Sequence, residues 1–321
     1  LRRGYADGPY GQVHFVDMGC HSSKDSNDKA PSCPTVLLLH QSPRSLRQFD
    51  HVYPLIYDAG YRAIGVDYPG FGQSDPTPNP PSIHDYALAV LAVIDHLGLQ
   101  RVHAAGHHTG AMVATELALV APSRVQRIVL NGPCPLDDAE RTKFQTEYLE
   151  HEKRYTHLAD GSHLQSSFQR KVKFYPSSSP AQCTALVVEM LQGRAPFWYG
   201  HHAAFSYDHG TAMAKITQPT LILTNAGDML YGHAQKTRSL RPDFAYAEID
   251  GGQIDLPLQE PNAWTARVVE FLRDEVSDGS GESAVRNSPH DITSPDSSET
   301  DSTTTSADQS AKAGTNDSNG K

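Results

Sequence analysis

The stretch that decides the fold reads Val102-His103-Ala104-Ala105-Gly106-His107-His108-Thr109-Gly110-Ala111. Its first half is a run of small and apolar residues, which is typical of a buried strand, and its end opens a helix rich in small residues. The turn between them has glycine at Gly106 and Gly110, where a larger side chain would collide with neighbouring backbone. Such a turn pushes its central side chain outward. The sequence therefore predicts a strand–turn–helix elbow that projects His108 into a pocket.

The segments on both sides of this elbow alternate between short apolar runs and helical patterns. That alternation predicts the α/β class, with a mostly parallel sheet flanked by helices. The runs that we expect to form strands are Gln12–Asp17, Thr35–His40, Arg62–Asp67, Arg101–Gly106, Val125–Asn131, Thr220–Asn225 and Ala245–Asp250. The helical patterns cover Ser45–Ala59, Ile83–Leu97, Gly110–Val120 and Pro261–Val276. We expect the first run to be an antiparallel edge strand.

The alternation stops between Cys134 and Ile216, where aromatic residues and histidines occur without strand periodicity. This composition predicts a mainly helical cap over about 134–216, and a helical extension that packs on the body is the alternative. Ligands of open α/β sheets bind at the carboxyl edge of the sheet, so a cap over that edge would form one wall of the pocket. Arg170, His157 and His163 would then either contact the substrate or face solvent, which is the commoner fate of such residues.

The composition changes again near the C-terminal end of the chain. From Ser277 to Lys321, small polar residues dominate and no aromatic residue occurs. Such a segment cannot bury enough apolar surface to offset its chain entropy, so we predict a folded domain over 1–276 and a disordered, acidic, Ser/Thr-rich tail over 277–321. The tail holds eight acidic and three basic residues of a chain with formal net charge -10. The remaining body is mildly acidic without a basic stripe, which argues against nucleic acid and anionic membranes as partners and leaves a small-molecule substrate as the expected partner.

The four cysteines, Cys20, Cys33, Cys134 and Cys183, do not have the spacing of a metal site. Cys20 and Cys33 border a polar loop and would form a disulfide in an oxidising compartment. Nothing in the sequence marks the chain as secreted, so reduced thiols and a cytoplasmic location are expected. No apolar run reaches the length of a membrane span.

The pair His201-His202 has the pattern most similar to a metal site. Adjacent residues of a helix diverge by about 100°, and no third ligand has a suitable spacing. Neither a metal nor another cofactor is therefore expected. The sequence leaves the oligomeric state open.

Five motifs, in their order and spacing from about Tyr10 to Val276, resemble those of the α/β-hydrolase superfamily. The motifs are Leu38-Leu39-His40-Gln41-Ser42-Pro43, Asp67-Tyr68-Pro69-Gly70-Phe71-Gly72-Gln73-Ser74, the elbow Gly106-His107-His108-Thr109-Gly110, the strand Thr220-Leu221-Ile222-Leu223 with Gly227-Asp228, and Ile249-Asp250-Gly251-Gly252-Gln253 with Gln259-Glu260-Pro261. The elbow resembles in particular a subgroup, found in bacteria and fungi, that has Gly-His-His-Thr-Gly at this place. The resemblance implies an α/β-hydrolase fold.

The resemblance also implies three catalytic positions. His108 stands at the nucleophile position, Asp228 at the acid position and Gln253 where the catalytic histidine is usual. Serine-type acyl transfer needs an oxygen or sulfur nucleophile beside an imidazole, and neither is in its usual place here. An imidazole with a pKa near 6.5 suits general acid–base catalysis at neutral pH. We therefore expect His108 to act as a general base that Asp228 orients, either through Gln253 or through a water molecule.

The loop at His40 and Gln41 and the backbone N–H of Thr109 resemble the groups that form the oxyanion hole and the pocket in this superfamily. His40 itself is expected to brace its loop by hydrogen bonds. The Thr109 hydroxyl is the alternative nucleophile, and Asp255 is an alternative occupant of the base position.

These positions predict an enzyme of small-molecule metabolism that hydrolyses an ester or a lactone. By analogy with similar sequences, its pathway would be specialised-metabolite biosynthesis. Two alternatives remain open: lyase, isomerase or cyclase chemistry at the same histidine, and a catalytically silent ligand-binding protein, which would need the pocket but not His108.

Overall fold

The sheet has eight strands in the computed structural model, which describes residues 1–20 and 33–273. Their spatial order is β1-β2-β4-β3-β5-β6-β7-β8. Strand β2 is antiparallel to β1 and β4, and every other neighbouring pair is parallel. The strands are β1 (Arg2–Gly8), β2 (Gly11–Asp17), β3 (Thr35–Leu39), β4 (Arg62–Val66), β5 (Val102–His107), β6 (Val125–Asn131), β7 (Thr220–Thr224) and β8 (Ala245–Glu248).

Helices flank this sheet, and a group of them is inserted between β6 and β7. The flanking helices are α1 (Tyr53–Asp58), α2 (Ile83–His96), α3 (Thr109–Val120), α10 (Tyr231–Leu240), α11 (Leu256–Gln259) and α12 (Pro261–Arg273). The inserted helices are α4 (Asp138–Lys143), α5 (Glu150–Lys153), α6 (Ser162–Phe174), α7 (Pro180–Gln192), α8 (Tyr199–Ser206) and α9 (His209–Met213). A 3₁₀ helix, Leu46–Phe49, precedes α1, and a π-helical turn, Phe144–Leu149, joins α4 to α5.

The sheet separates two apolar cores. All five residues of β3 are buried, because helices cover both faces of a central parallel strand. One core contains Val90 of α2 and Leu117 of α3. The other contains Ile56 of α1 and Trp264 of α12. The predicted fold class, a mostly parallel sheet with flanking helices and a helical cap, is confirmed.

The seven predicted strands all occur, and their ends lie within two residues of those expected. Strand β1 is not predicted by the sequence, since only Ala6 is buried in an otherwise polar and exposed segment. Strand β2, expected at the edge, is therefore the second strand of the sheet. The prediction also misses α10, which buries only Ala234 and Thr237 and so has a weak apolar pattern.

Cys20 and Cys33 form a disulfide bond, with their Cα atoms 6.0 Å apart. The expectation of reduced thiols is wrong for this pair, while Cys134 and Cys183 are free and buried. The topology explains the pairing, because the end of β2 and the start of β3 both border β4. The backbone hydrogen bonds that hold them there run from Met18 N–H to Ala63 O and from Arg62 N–H to Pro34 O.

The predicted tail over 277–321 lies outside the described residues. Within residues 1–20 and 33–273, no helix combines the length and the apolar character that crossing a membrane requires.

Candidate active site

His108 lies at the tip of a tight turn between β5 and α3. Its backbone φ is +49°, in the left-handed region that residues other than glycine rarely adopt. A Cβ on Gly106 would collide with the carbonyl of Gly110, and one on Gly110 would collide with the carbonyl of Leu39. The His108 N–H donates to Asn131 O at 2.8 Å. The turn therefore has the elbow conformation, with its backbone strain at the central residue.

The His108 imidazole is hydrogen-bonded directly to Asp228. His108 Nε2 lies 2.8 Å from Asp228 Oδ2. The Asp228 side chain, in the loop after β7, is fully buried, whereas 11% of the His108 side chain is exposed. Because a carboxylate only accepts, Nε2 carries the hydrogen and Nδ1 holds the lone pair. Among the described residues Nδ1 has no hydrogen-bond partner, so the pair offers one basic ring nitrogen.

Gln253 does not stand between His108 and Asp228. The expected relay through Gln253 or through water is therefore replaced by the direct contact. The Gln253 backbone is fixed from two sides, since its N–H donates to Gln259 Oε1 at 2.8 Å and its carbonyl accepts from Asn225 Nδ2 at 3.2 Å. Its Oε1 is buried, and no described residue donates to it.

The backbone amides near the elbow differ in their availability. Gln41 N–H donates to Gln48 Oε1 at 2.8 Å, so it is not free to bind a substrate oxygen as expected. Thr109 is the first residue of α3, and its N–H has no acceptor within the helix. Ser42, which the sequence prediction did not single out, lines the cavity with Thr109, and its N–H has no acceptor in the described ranges. Thr109 and Ser42 are thus the amides that could form an oxyanion hole.

His40 braces its loop and does not line the cavity. Its Nδ1 donates to Gln41 O at 2.9 Å, and its Nε2 accepts from Tyr68 N–H at 3.2 Å. The ring also stacks on Tyr68, with the centroids 4.0 Å apart. Burial lowers the pKa of His40. Both ring nitrogens of His40 are thus used to brace the loop, as expected. The expectation that His40 belongs to the pocket is wrong, because it does not line the cavity.

A buried ionic network supports the elbow from the side. Arg44 forms an ion pair with Asp255, and its Nε donates to Glu189 Oε2 at 2.9 Å. Gln48 Nε2 donates to Asp255 Oδ1 at 2.8 Å. Burial raises the pKa of Asp255, although Arg44 opposes this shift. Asp255 thus lies in this network and does not replace the missing histidine beside His108.

His107 is fully buried next to the elbow and joins the same network. Its Nδ1 accepts from Gln48 Nε2 at 2.8 Å, and no described residue contacts its Nε2 by a hydrogen bond. Burial, followed by the nearby charges of His108 and Arg44, lowers its pKa well below the usual value. His107 is therefore neutral at physiological pH.

His107, His108 and Asp228 place potential metal-ligand atoms within 4.8 Å of one another. The two imidazole rings lie 4.0 Å apart with 32° between their planes. Imidazole lone pairs lie in the ring plane, so rings stacked in this way do not point at one common ion. His108 Nε2 is also already bonded to Asp228. The arrangement fits an Asp–His hydrogen bond better than a metal centre.

A contact between a histidine and a hydroxyl occurs away from the elbow, between His209 and Thr115, at 3.0 Å. Both residues are fully buried and neither lines the cavity. Cys134 N–H donates to His209 Nδ1, so the hydrogen of this ring is on Nε2 and points at Thr115 Oγ1. Thr115 in turn donates to Ala111 O at 3.0 Å. His209 cannot deprotonate this hydroxyl, and burial lowers its pKa to about 3.

A cavity of about 210 Å³ lies above the elbow, between the body and the inserted helices. Its wall is mostly apolar and aromatic. The lining residues are Gln41, Ser42, Pro43, His108, Thr109, Met112, Cys134, Phe144, Tyr148, Tyr155, Ser167, Arg170, Lys171, Phe174, Tyr175, Met190, Phe197, His201, Ala204, Phe205, Met229, Leu230 and Ile254. The segment between β6 and β7 therefore forms a wall of the pocket, as expected of a cap.

Polar side chains of the cap also reach this cavity. Of the three that the sequence singled out, Arg170 lines it, while His157 and His163 do not. His201 lines it as well, and its Nδ1 lies 2.7 Å from Glu152 Oε2. Arg170 is 3.6 Å from the same carboxylate. No sequence motif indicated a carboxylate beside His201.

A family model described as alpha/beta hydrolase fold matches residues 34–256. The chain belongs to the alpha/beta hydrolase fold family. One relative, the 2-hydroxy-6-oxononadienedioate/2-hydroxy-6-oxononatrienedioate hydrolase of Cupriavidus pinatubonensis, is 39% identical over 220 residues, which cover 63% of this chain and 73% of the relative. Bifunctional epoxide hydrolase 2 of Sus scrofa is 33% identical over 128 residues. That match covers 38% of this chain and only 20% of the pig protein.

Solved structures of the alpha/beta hydrolase fold share the architecture of this chain. A thermophilic esterase from Thermogutta terrifontis superposes with a TM-score of 0.67 at 18% sequence identity, over 85% of this chain and 98% of the esterase. At that identity the likeness supports the fold alone. The two relatives from Cupriavidus pinatubonensis and Sus scrofa are hydrolases by name, which together with the family match makes this chain a member of a family of hydrolases.

Within this alpha/beta hydrolase, the motifs predicted the elbow and the acid loop but not the residues that surround them. Arg44, Gln48 and Glu189 are ordinary polar residues in the sequence, and only folding brings them together. Lys171 gave no signal either, since it is one of several basic residues on an amphipathic cap helix.

Proposed function

We propose that this protein hydrolyses a small molecule, an ester or a lactone, by activating water with His108. The observation that carries the proposal is the 2.8 Å contact between His108 Nε2 and Asp228. It leaves Nδ1 as the basic nitrogen of a side chain that lines the cavity. The names of the relatives support hydrolysis of small molecules in general, and an ester or a lactone is the more specific part of the proposal.

The proposed reaction begins with a water molecule beside His108. Nδ1 takes a proton from this water, and the resulting hydroxide attacks the carbonyl carbon of the substrate. Asp228 stabilises the imidazolium that forms. The N–H groups of Thr109 and Ser42 bind the oxyanion of the tetrahedral intermediate. When the intermediate collapses, the acyl C–O bond breaks and the imidazolium returns its proton to the leaving alkoxide.

A non-hydrolytic reaction is the second candidate. The observation that favours it is that, among the described residues, no hydroxyl or thiol forms a hydrogen bond with His108. A base without a neighbouring nucleophile can also remove a proton from carbon, as a lyase, isomerase or cyclase does. A silent binding protein would use the same cavity without any contribution of His108.

Replacing His108 tests the proposal. We expect His108→Ala to lower kcat for p-nitrophenyl butyrate or a γ-lactone by about 10²- to 10⁴-fold, which is the usual contribution of a general base. His51→Ala is the matched control, since His51 is an exposed histidine away from the cavity, and it should retain full activity. Turnover that survives in His108→Ala would contradict the proposal.

A fluorophosphonate probe separates the water mechanism from the alternative with Thr109 as nucleophile. A water-activating histidine leaves no covalent adduct, so we expect the protein to remain unlabelled. Stoichiometric labelling of Thr109, detected by peptide mass spectrometry, would show that a hydroxyl carries the reaction.

Three further expectations stay predictions: membership of the Gly-His-His-Thr-Gly subgroup, a role in specialised metabolism, and a cytoplasmic location. The Cys20–Cys33 disulfide argues against the last of these, because disulfides persist mainly in oxidising compartments.

A further inference from the structure

Lys171 is a buried cation that lines the cavity. It lies on the cap helix α6, and only 9% of its surface is exposed. Buried lysines in proteins are normally paired with a carboxylate, because an isolated ammonium loses its hydration on burial. The residues around it therefore decide whether Lys171 has a structural role.

The carboxylates near Lys171 are already engaged elsewhere. Glu189 accepts from Arg44 Nε at 2.9 Å and from Ser45 at 2.7 Å. Glu152 is bonded to His201 at 2.7 Å and lies 3.6 Å from Arg170. Neither is within ion-pairing distance of Lys171, nor is any other carboxylate in residues 1–20 and 33–273.

The remaining polar contact of Lys171 is weak. Its Nζ lies 5.8 Å from the centre of the Tyr175 ring, at the outer limit of a cation–π interaction. A neutral ring does not balance the charge. The cavity wall thus contains a buried ammonium group with no described carboxylate at ion-pairing distance, and Arg170, the preceding residue of the same helix, also lines the cavity.

We propose that Lys171, assisted by Arg170, binds a carboxylate group of the substrate. The inference rests on the proposed function, since the same cavity contains His108. The substrate class that fits is an acid with an apolar body, whose carboxylate meets α6 while its reactive carbonyl meets the elbow. A carboxylate fits better than a phosphate because the rest of the wall is too apolar to accommodate a second negative charge.

The charge state of Lys171 is compatible with this role. Burial, followed by the repulsion of Arg44, lowers its pKa to about 8. The ammonium form is therefore still the main form at neutral pH, and a bound carboxylate would stabilise it further.

Calorimetric titration with 3-phenylpropanoate and 3-phenylpropanamide tests the subsite. The two probes have the same body and differ in charge. We expect the acid to bind roughly 10- to 100-fold more tightly than the amide, as is typical of a charge-assisted hydrogen bond. Lys171→Met should abolish this preference and leave the amide affinity unchanged. Lys173→Met, which removes an exposed lysine from the same helix, should keep the preference.

An acid that binds no more tightly than its amide overturns the proposal, as does a preference that survives in Lys171→Met.

The same titration on His108→Ala separates this inference from the proposed reaction. We expect this variant to lose turnover and to keep the preference for the acid. Equal affinities for acid and amide in a variant that has lost turnover would overturn the carboxylate subsite alone. A Lys171-dependent preference in a His108→Ala protein that still turns over would overturn the base and leave the subsite.

Discussion

Gly132 shows how closely the backbone surrounds the pair formed by His108 and Asp228. It adopts a φ of +65°, and a Cβ at this position would lie 2.5 Å from His108 Cδ2, 2.8 Å from His108 Nε2 and 3.0 Å from Asp228 Oδ2. An alanine would therefore push the imidazole away from the carboxylate without removing either group. The ring can keep its contact with Asp228 only if this residue has no side chain.

We expect Gly132→Ala to lower kcat by at least about 10-fold, because misplacement of a catalytic group by a fraction of an ångström is enough for such a loss. The measurement is steady-state kinetics with p-nitrophenyl butyrate, together with a thermal melt. Gly98→Ala is the matched control, since Gly98 has a φ of +63° and nothing within 4 Å of the added Cβ. It introduces the same backbone strain without the collision. If both variants lost activity equally, strain and not contact with His108 would explain the effect.

A buried carboxylate joins the cap helix α7 to the loop that follows strand β3. Glu189 on α7 binds Arg44 and Ser45, both of which lie in the loop after β3. Burial alone would raise the pKa of Glu189, but its bonds with Arg44 and Ser45 outweigh burial and lower it. A carboxyl whose pKa is lowered on folding stabilises the protein above its unfolded pKa, and this contribution is lost as the pH falls through the folded value.

We expect Glu189→Gln to destabilise the protein at pH 7 by about 1–3 kcal/mol, less than the full cost of an unpaired buried charge because Asp255 still neutralises Arg44. The free energy of unfolding in urea measures this change, and the difference from the parent should shrink below pH 4. Glu270→Gln removes an exposed ion pair with Arg267 and should change little. A Glu189→Gln protein as stable as its parent would show that this contact does not hold the cap.

The sequence predicts the strands and the elbow of this protein well, but not the contacts between side chains that are distant in the chain. The elbow was predictable because Gly106 and Gly110 are needed by the backbone itself, wherever the rest of the chain lies. The strands were predictable from local apolar runs. The contact of His108 with Asp228 joins residues 120 positions apart, and that of Arg44 with Glu189 joins residues 145 apart. Local patterns contain no information on such distances, so a relay through Gln253 or water was expected in place of the direct contact, and Lys171 was missed.

Burial of the charged Lys171 side chain destabilises the folded protein as a whole. Its pKa falls from an ordinary value near 10.5 to about 8 in the folded protein, through burial and the charge of Arg44. Arg170 also lowers the pKa of Lys171, whereas Glu189 and Glu152 raise it without offsetting the effect of burial. Between pH 8 and 10.5 the unfolded chain therefore binds more protons than the folded one. The free-energy cost of burying the charged Lys171 is therefore complete below pH 8, and the stability of the folded protein rises with pH between 8 and 10.5.

We expect Lys171→Met to stabilise the protein at pH 7 by roughly 1–3 kcal/mol, since it replaces a buried unpaired charge by an apolar side chain of similar length. The gain should fade as the pH approaches 10.5, and Lys173→Met should show no comparable gain because Lys173 is exposed. Thermal unfolding between pH 7 and 10 measures both effects. Stabilisation by removal of a lysine is the behaviour of a residue that serves binding at the expense of the fold. A Lys171→Met variant less stable than its parent would mean that the ammonium has a structural partner, and Lys171 would then have no charge to offer a substrate.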